Sequence, residues 1–141
     1  MPPPELNLIT NTVSDAASSA LTLKNAVSAH RAWKTKLLAA ATCGAKLDVA
    51  TISRDDCCDL GIWLHSSGQR QYGGRPEFTN LVEKHSSFHA VASEAANVIN
   101  SKGFEAGKTF LRGGSQFAYS TIEVVVAITL LKAVVDVGDS I

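Results

Sequence analysis

From Leu6 onward apolar residues recur at Leu6, Ile9, Val13, Ala16, Ala20, Leu23 and Val27, in steps alternating between three and four. This spacing keeps one helix face apolar and predicts a long helix that reaches about Thr42 before Gly44 ends it. The next seam position is His30, where a Leu or Val would be expected, and Trp33 follows one turn later. A second seam runs through Phe78, Leu81, His85, Phe88, Ala92, Ala95 and Ile99. Pro76 suits its first turn and Gly103 breaks it. Here too a histidine takes a seam position, and His89 lies one turn further on the same side.

Between the seams the signals are weaker. "CGAKLDVATI" (43–52) reads as a loop. Ser53 reads as an N-cap with Asp55 and Asp56 in the first turn, where the helix dipole favours carboxylates. A second helix then spans about Arg54 to Ser66, and "SSGQRQYGGRP" (66–76) is a turn-rich connection. A last helix runs from about Phe104, or slightly later, to Val135. It carries Leu111, Ala118, Ile122 and Val125 at seam spacing, with Gly113-Gly114 placed to interrupt it near its start. Four helices with short connections most simply make an antiparallel four-helix bundle, so the expected class is all-α.

Composition supports this reading. The 141 residues suit one domain spanning 1–141, with a proline-rich start, 1–5, expected to be disordered. Beyond Pro2, Pro3 and Pro4 the only proline is Pro76, and aromatics make up just 6%. Thirteen basic residues balance thirteen acidic ones without a basic cluster, which argues against a nucleic-acid partner. "MPPPELNLITN" has neither the basic region nor the apolar core of a secretion signal. The most apolar stretch, 122–135, is interrupted by Glu123 and Lys132. Its uncharged interior falls well short of the roughly 20 residues a membrane span needs. Three cysteines, two of them adjacent, make no disulfide framework and fit a reducing cytoplasm.

The chemistry lies in the histidines. Of four in the chain, three are expected to point into the bundle. Any one of them alone reads as a core residue bonded to a neighbour, because a buried imidazole needs partners for its nitrogens. Three together shift the balance towards a metal. His85 and His89 stand one turn apart, a common way for one helix to offer two ligands. "HSSFH" lacks the glutamate of the zinc-protease helix, and nothing nearby looks like a hydrolase's general base, so no enzyme is expected. His30 from the first helix and a cysteine from the second would complete a three-nitrogen, one-sulfur set that suits zinc. The helix pattern leaves the cysteine open. Cys57 aligns with Leu60 and Leu64, Cys58 with Gly61 and Ile62, and helical neighbours point about 100° apart. A disulfide between the two would bend a helix severely.

Three blocks, "HRAW" (30–33), "CDLGIW" (58–63) and "HSSFH" (85–89), closely resemble in order and spacing the chemoreceptor zinc-binding domain. That bacterial family is recognised by His-x-x-Trp, Cys-x-Leu-Gly-x-Trp and His-x-x-x-His. The resemblance runs from about Val27 into the last helix, with the motif core at about 27–101. It implies a helical bundle, often dimeric, with zinc between the helices, one ion per chain, held by His30, Cys58, His85 and His89. Cys57 is then a small buried residue or a nearby second thiol. Trp33 and Trp63 would wall the site from water or simply pack the core. Gly61 would admit another helix backbone or the Trp33 ring. Asp59 would accept a hydrogen bond from a ligand histidine or remain a solvated carboxylate. His65, at a helix end, and Cys43, read as structural, fall outside the site.

The resemblance also implies a function: a cytoplasmic detector of zinc availability or of oxidants such as hypochlorous acid, coupled to chemotaxis or cyclic-di-GMP output. With no output domain or membrane segment expected, the signal would pass through a homodimer or to a separate signalling protein. The alternative is a structural zinc bundle serving as a dimerisation or protein-interaction module, since a site closed by four ligands normally stabilises a fold.

Overall fold

The chain folds into helices α1 (Pro4–Arg31), α2 (Trp33–Cys43), α3 (Val49–Ser53), α4 (Asp59–Leu64), α5 (Ser67–Tyr72), α6 (Pro76–Lys102), α7 (Phe104–Leu111) and α8 (Gln116–Ser140). A computed structural model describes the backbone of residues 4–140 and the side chains of residues 17–137. The all-α class holds, with no strand among the described residues. Residues 1–3 of the expected disordered start lie outside the described residues, as do the side chains of Leu6, Ile9, Val13 and Ala16. Pro4 and Glu5, expected in that start, open α1.

The long first helix appears as α1 and α2 with a minor break between them. Ala32 keeps right-handed helical angles, φ −79° and ψ −9°. The ladder continues across it, with Ala32 N–H donating to Ser28 O at 3.1 Å and Lys36 N–H to Ala32 O at 3.0 Å. Gly44 ends the rod at φ 70°, a left-handed conformation that costs glycine nothing. The buried line on α1 is Ser19, Leu23, Ala26 and His30, with Ala20 and Val27 half-buried beside it. On α6 every seam residue from Phe78 to Ile99 is buried, and Pro76 stands in its first turn.

The middle of the chain departs from expectation. No helix runs from Arg54 to Ser66. Asp48 starts α3 five residues earlier than Ser53 would, its carboxylate accepting from Thr51 N–H at 3.2 Å and from Thr51 Oγ at 2.8 Å. Ser53 therefore ends a helix. Asp55 and Asp56 lie in the turn that follows, pinned by an Arg54–Asp56 ion pair at 3.0 Å. The next helix, α4, starts only after Cys58, and the segment expected to be a turn-rich connection contains α5. Gly113-Gly114 does separate α7 from α8.

α8 packs against both α6 and α1, while α3 and α7 also lie on α6. The buried line on α8 is Phe117, Val124, Ala127, Ile128, Leu131 and Val135. Of its expected seam, Ala118 and Val125 are half-buried, and Ile122 is 59% exposed. The segment is apolar all round, so periodicity could not choose the face that packs. Among the described residues no helix is long and apolar enough to cross a membrane.

Candidate metal centre

Three elements bring the candidate donors together. His30 closes the buried line of α1, His85 and His89 share one face of α6, and Cys58 caps α4. The thiol of Cys58 does what a capping side chain does, accepting the Gly61 N–H at 3.4 Å. Cys58 is extended, with φ −81° and ψ 164°, so its neighbour Cys57 points elsewhere. Cys57 is exposed, with its thiol directed at Asp56 Oδ1, 3.6 Å away. The two cysteines are thus separated by a turn-to-helix junction rather than by the angle between helical neighbours. Neither a buried Cys57 nor a second thiol at the site is found.

Cys58 Sγ lies 3.3 Å from His85 Nε2 and 3.7 Å from His89 Nε2, and those two nitrogens are 3.0 Å apart. With one nitrogen of His30, all four donors lie within 4.8 Å of one another. Zinc bonds of about 2.0–2.1 Å to nitrogen and about 2.3 Å to sulfur give tetrahedral edges of about 3.3 to 3.6 Å. The donors therefore already stand near the separations that one ion would impose.

The hydrogen bonds at the outer nitrogens set the chemistry of the inner ones. His30 Nδ1–H donates to Ala26 O at 2.8 Å, and His89 Nδ1–H donates to Ile52 O at 2.9 Å. A carbonyl only accepts, so both rings carry their proton outside and turn an Nε2 lone pair inward. His30 Nε2 is buried with no hydrogen-bond partner, and a cation would satisfy it. His85 differs: its Nδ1 is buried without a partner. Its ring is held by edge contacts to His30 at 5.1 Å and His89 at 4.5 Å.

Burial lowers the pKa of His30 to about 4, its bond to Ala26 opposing only in part. Burial also lowers that of His85, to about 2, with His89 adding to the effect. His89 moves down as well, chiefly through burial. All three are neutral imidazoles near pH 7, the form that ligates. Burial pushes the Cys58 thiol up, against the Gly61 N–H bond that favours its thiolate.

The supporting residues are placed unevenly. Trp33 is half-buried with its ring 5.9 Å from that of His89. Trp63 stands apart from the donors, stacking near Tyr72 at 6.1 Å and Phe78 at 6.2 Å. Its Nε1–H donates to the buried Ser19 Oγ at 3.1 Å, so its place is core packing. Gly61 is needed for a different neighbour from those expected. A Cβ there would collide with the Asp55 carbonyl of the preceding turn. Asp59 is exposed, and the histidine partners are the Ala26 and Ile52 carbonyls instead. His65 is exposed, 3.6 Å from Asp55 Oδ1, and Cys43 is exposed at the end of α2.

Sequence reasoning missed four contributors. The two carbonyls carry no side-chain signal. Phe88 is fully buried, with its ring 5.2 Å from His30 and 5.6 Å from His89, and it read only as a core residue. Asp48 was legible as Asp-x-x-Thr, a capping pattern.

Together these features define a helical domain with a buried three-imidazole, one-thiol metal-site candidate whose donors suit zinc. Residues 30–96 match the family described as the chemoreceptor zinc-binding domain, and that segment contains all four donors. Over that segment, a little under half of the chain, the sequence is similar to that family. No curated protein and no solved structure matches the chain.

Proposed function

We propose that the chain is a zinc-binding sensor domain in which His30, Cys58, His85 and His89 hold one ion and Cys58 is the point of response. The observation that carries this reading is the pair of inward lone pairs on His30 and His89, each enforced by a carbonyl bond on the far nitrogen. Without a cation the buried Nε2 of His30 is left an acceptor with no partner.

Cys58 is the one donor of the four that can be oxidised. Hypochlorous acid would transfer its oxygen to the thiolate, giving the sulfenic acid and chloride, the sulfur losing the two electrons that chlorine gains. A sulfenic acid binds zinc less well, which would free α4 from the cluster and change the surface offered to a partner. The proposed outlet is a homodimer, or a signalling protein of a chemotaxis or cyclic-di-GMP pathway. A reducing cytoplasm would keep the thiol available between events. The same closed donor set supports a non-enzymatic role, because it leaves no coordination position for substrate. It equally favours a second reading, in which zinc only braces the fold of an interaction module.

Metal analysis of the purified protein beside Cys57→Ala, Cys58→Ala and His85→Ala tests the site. The expected result is one zinc per chain, retained by Cys57→Ala and weakened in the other two. Comparable loss from Cys57→Ala would overturn the assignment. Titration with hypochlorous acid separates sensor from brace. Zinc that stays bound while Cys58 is oxidised, with partner binding unchanged, leaves the structural reading.

A further inference from the structure

A groove of about 400 Å³ runs between α1, the start of α2 and the first residues of α4, and it ends on His30 and Cys58. We infer that this groove is the route by which zinc, and small zinc- or thiol-reactive molecules, reach and leave the cluster. The inference rests on the proposed zinc site and adds the direction from which that site is entered.

The other approaches are closed. His85 and His89 are only 1% and 2% exposed, and Phe88 between them is completely buried. The far side of His89 is covered by α3 through the Ile52 carbonyl. Cys58 is half-buried, whereas the three histidines are all buried, so Cys58 is the member of the cluster nearest solvent. On this side the α1 wall is built from small or polar residues, Thr22, Asn25, Ala26 and Ala29, with Lys36 beyond them. The short alanine side chains leave the passage open, and the polar ones allow it to hold water. A volume of about 400 Å³ is near the lower end for small-molecule pockets and excludes a folded partner. The incoming molecule is therefore a metal ion, a small chelating acid or thiol, or a small oxidant. Each would meet the cluster on its His30–Cys58 edge.

Plugging the groove tests this. Ala29 and Asn25 both line it and both are exposed, so Ala29→Trp and Asn25→Trp enlarge the lip without overpacking the core. Ala17→Trp, exposed earlier on the same helix and outside the groove, is the control. Two rates are read for each protein: zinc transfer to a small chromogenic chelator, and iodoacetamide labelling of Cys58 in metal-free protein. Peptide mass spectrometry follows the labelling, with Cys57 as an internal standard. Both plugged variants should show severalfold slower zinc transfer and Cys58 labelling, with unchanged Cys57 labelling, zinc content and helical dichroism. The control should match the parent. Cys58 labelling at the parental rate in both plugged variants would overturn the route. Labelling needs no zinc, so a chain that binds no zinc would defeat the proposed function and still leave the groove to be judged.

Discussion

Cys58 and the three histidines sit in a balance between burial and the need for charge. Burial keeps the imidazoles neutral and keeps the thiol protonated, so zinc binding near pH 7 should expel about one proton, that of Cys58. Calorimetry in buffers of different ionisation enthalpy would measure it, and release of two or more would mean that a histidine is protonated in the metal-free state. The same shifts give metal-free protein a pH dependence of definite sign. His30 titrates at about 4 when folded against an ordinary 6.5, so below 6.5 the unfolded chain takes up a proton that the folded one refuses. Stability is full above that range and falls as the pH drops from 6.5 towards 4, by on the order of 3 kcal/mol from His30 alone. Urea midpoints of metal-free protein at pH 7.5 and pH 5, about the unperturbed histidine range, check this, and an unchanged midpoint would contradict it.

Among the elements, the short α3 has an outsized part. It is a helix of five residues held by the Asp48 cap, and its Ile52 carbonyl fixes the tautomer of His89. Asp48→Ala should leave the α6 core intact while weakening zinc binding by about 10-fold, the lower end for loss of a partner that orients a ligand. Competition against a chelator would measure the change. The turn that presents Cys58 depends on Gly61, whose missing side chain lets the Asp55 carbonyl pack against α4. Gly61→Ala should cost about 1–3 kcal/mol in thermal or urea unfolding, because backbone must move to make room. These elements were poorly legible in the sequence. Ser53, Asp55 and Asp56 form a good N-terminal signal, but Asp48 with Thr51 forms another a few residues earlier, and local propensity does not decide between overlapping caps. Cys58 itself was legible only through the family's Cys-x-Leu-Gly-x-Trp pattern. Its position as a cap depends on a turn closing over Gly61.

Across the whole molecule, α8 buries two faces against α1 and α6 and leaves a third exposed. Tyr119, Ile122, Val126, Leu130 and Val137 are each more than half exposed, at 61%, 59%, 51%, 51% and 62%. Their spacing follows the helical period closely, so they form one stripe along the helix axis. Such a stripe suits the matching helix of a second copy, which supports the proposed homodimer. Ile122→Glu combined with Leu130→Glu should shift the protein to monomer in analytical ultracentrifugation without loss of helicity. An unchanged sedimentation coefficient would place any dimer contact elsewhere. Ile122 had read as a core position, because a segment apolar on every side has no strongest face.

The sequence by itself determined what depends on period and on residue type. The α1–α2 rod ending at Gly44, the buried face of α6 from Phe78 to Ile99, and the inward placing of His30, His85 and His89 all follow from helical spacing. Helical hydrogen bonds are local, so position along the chain dictates the face. Only the tertiary structure decided the turn through Asp55 and Asp56, the outward Cys57, the carbonyls behind His30 and His89, and the face of α8 left bare. Each of these depends on contacts between segments distant in sequence, or on backbone atoms that every residue carries, and neither leaves a mark in the order of side chains.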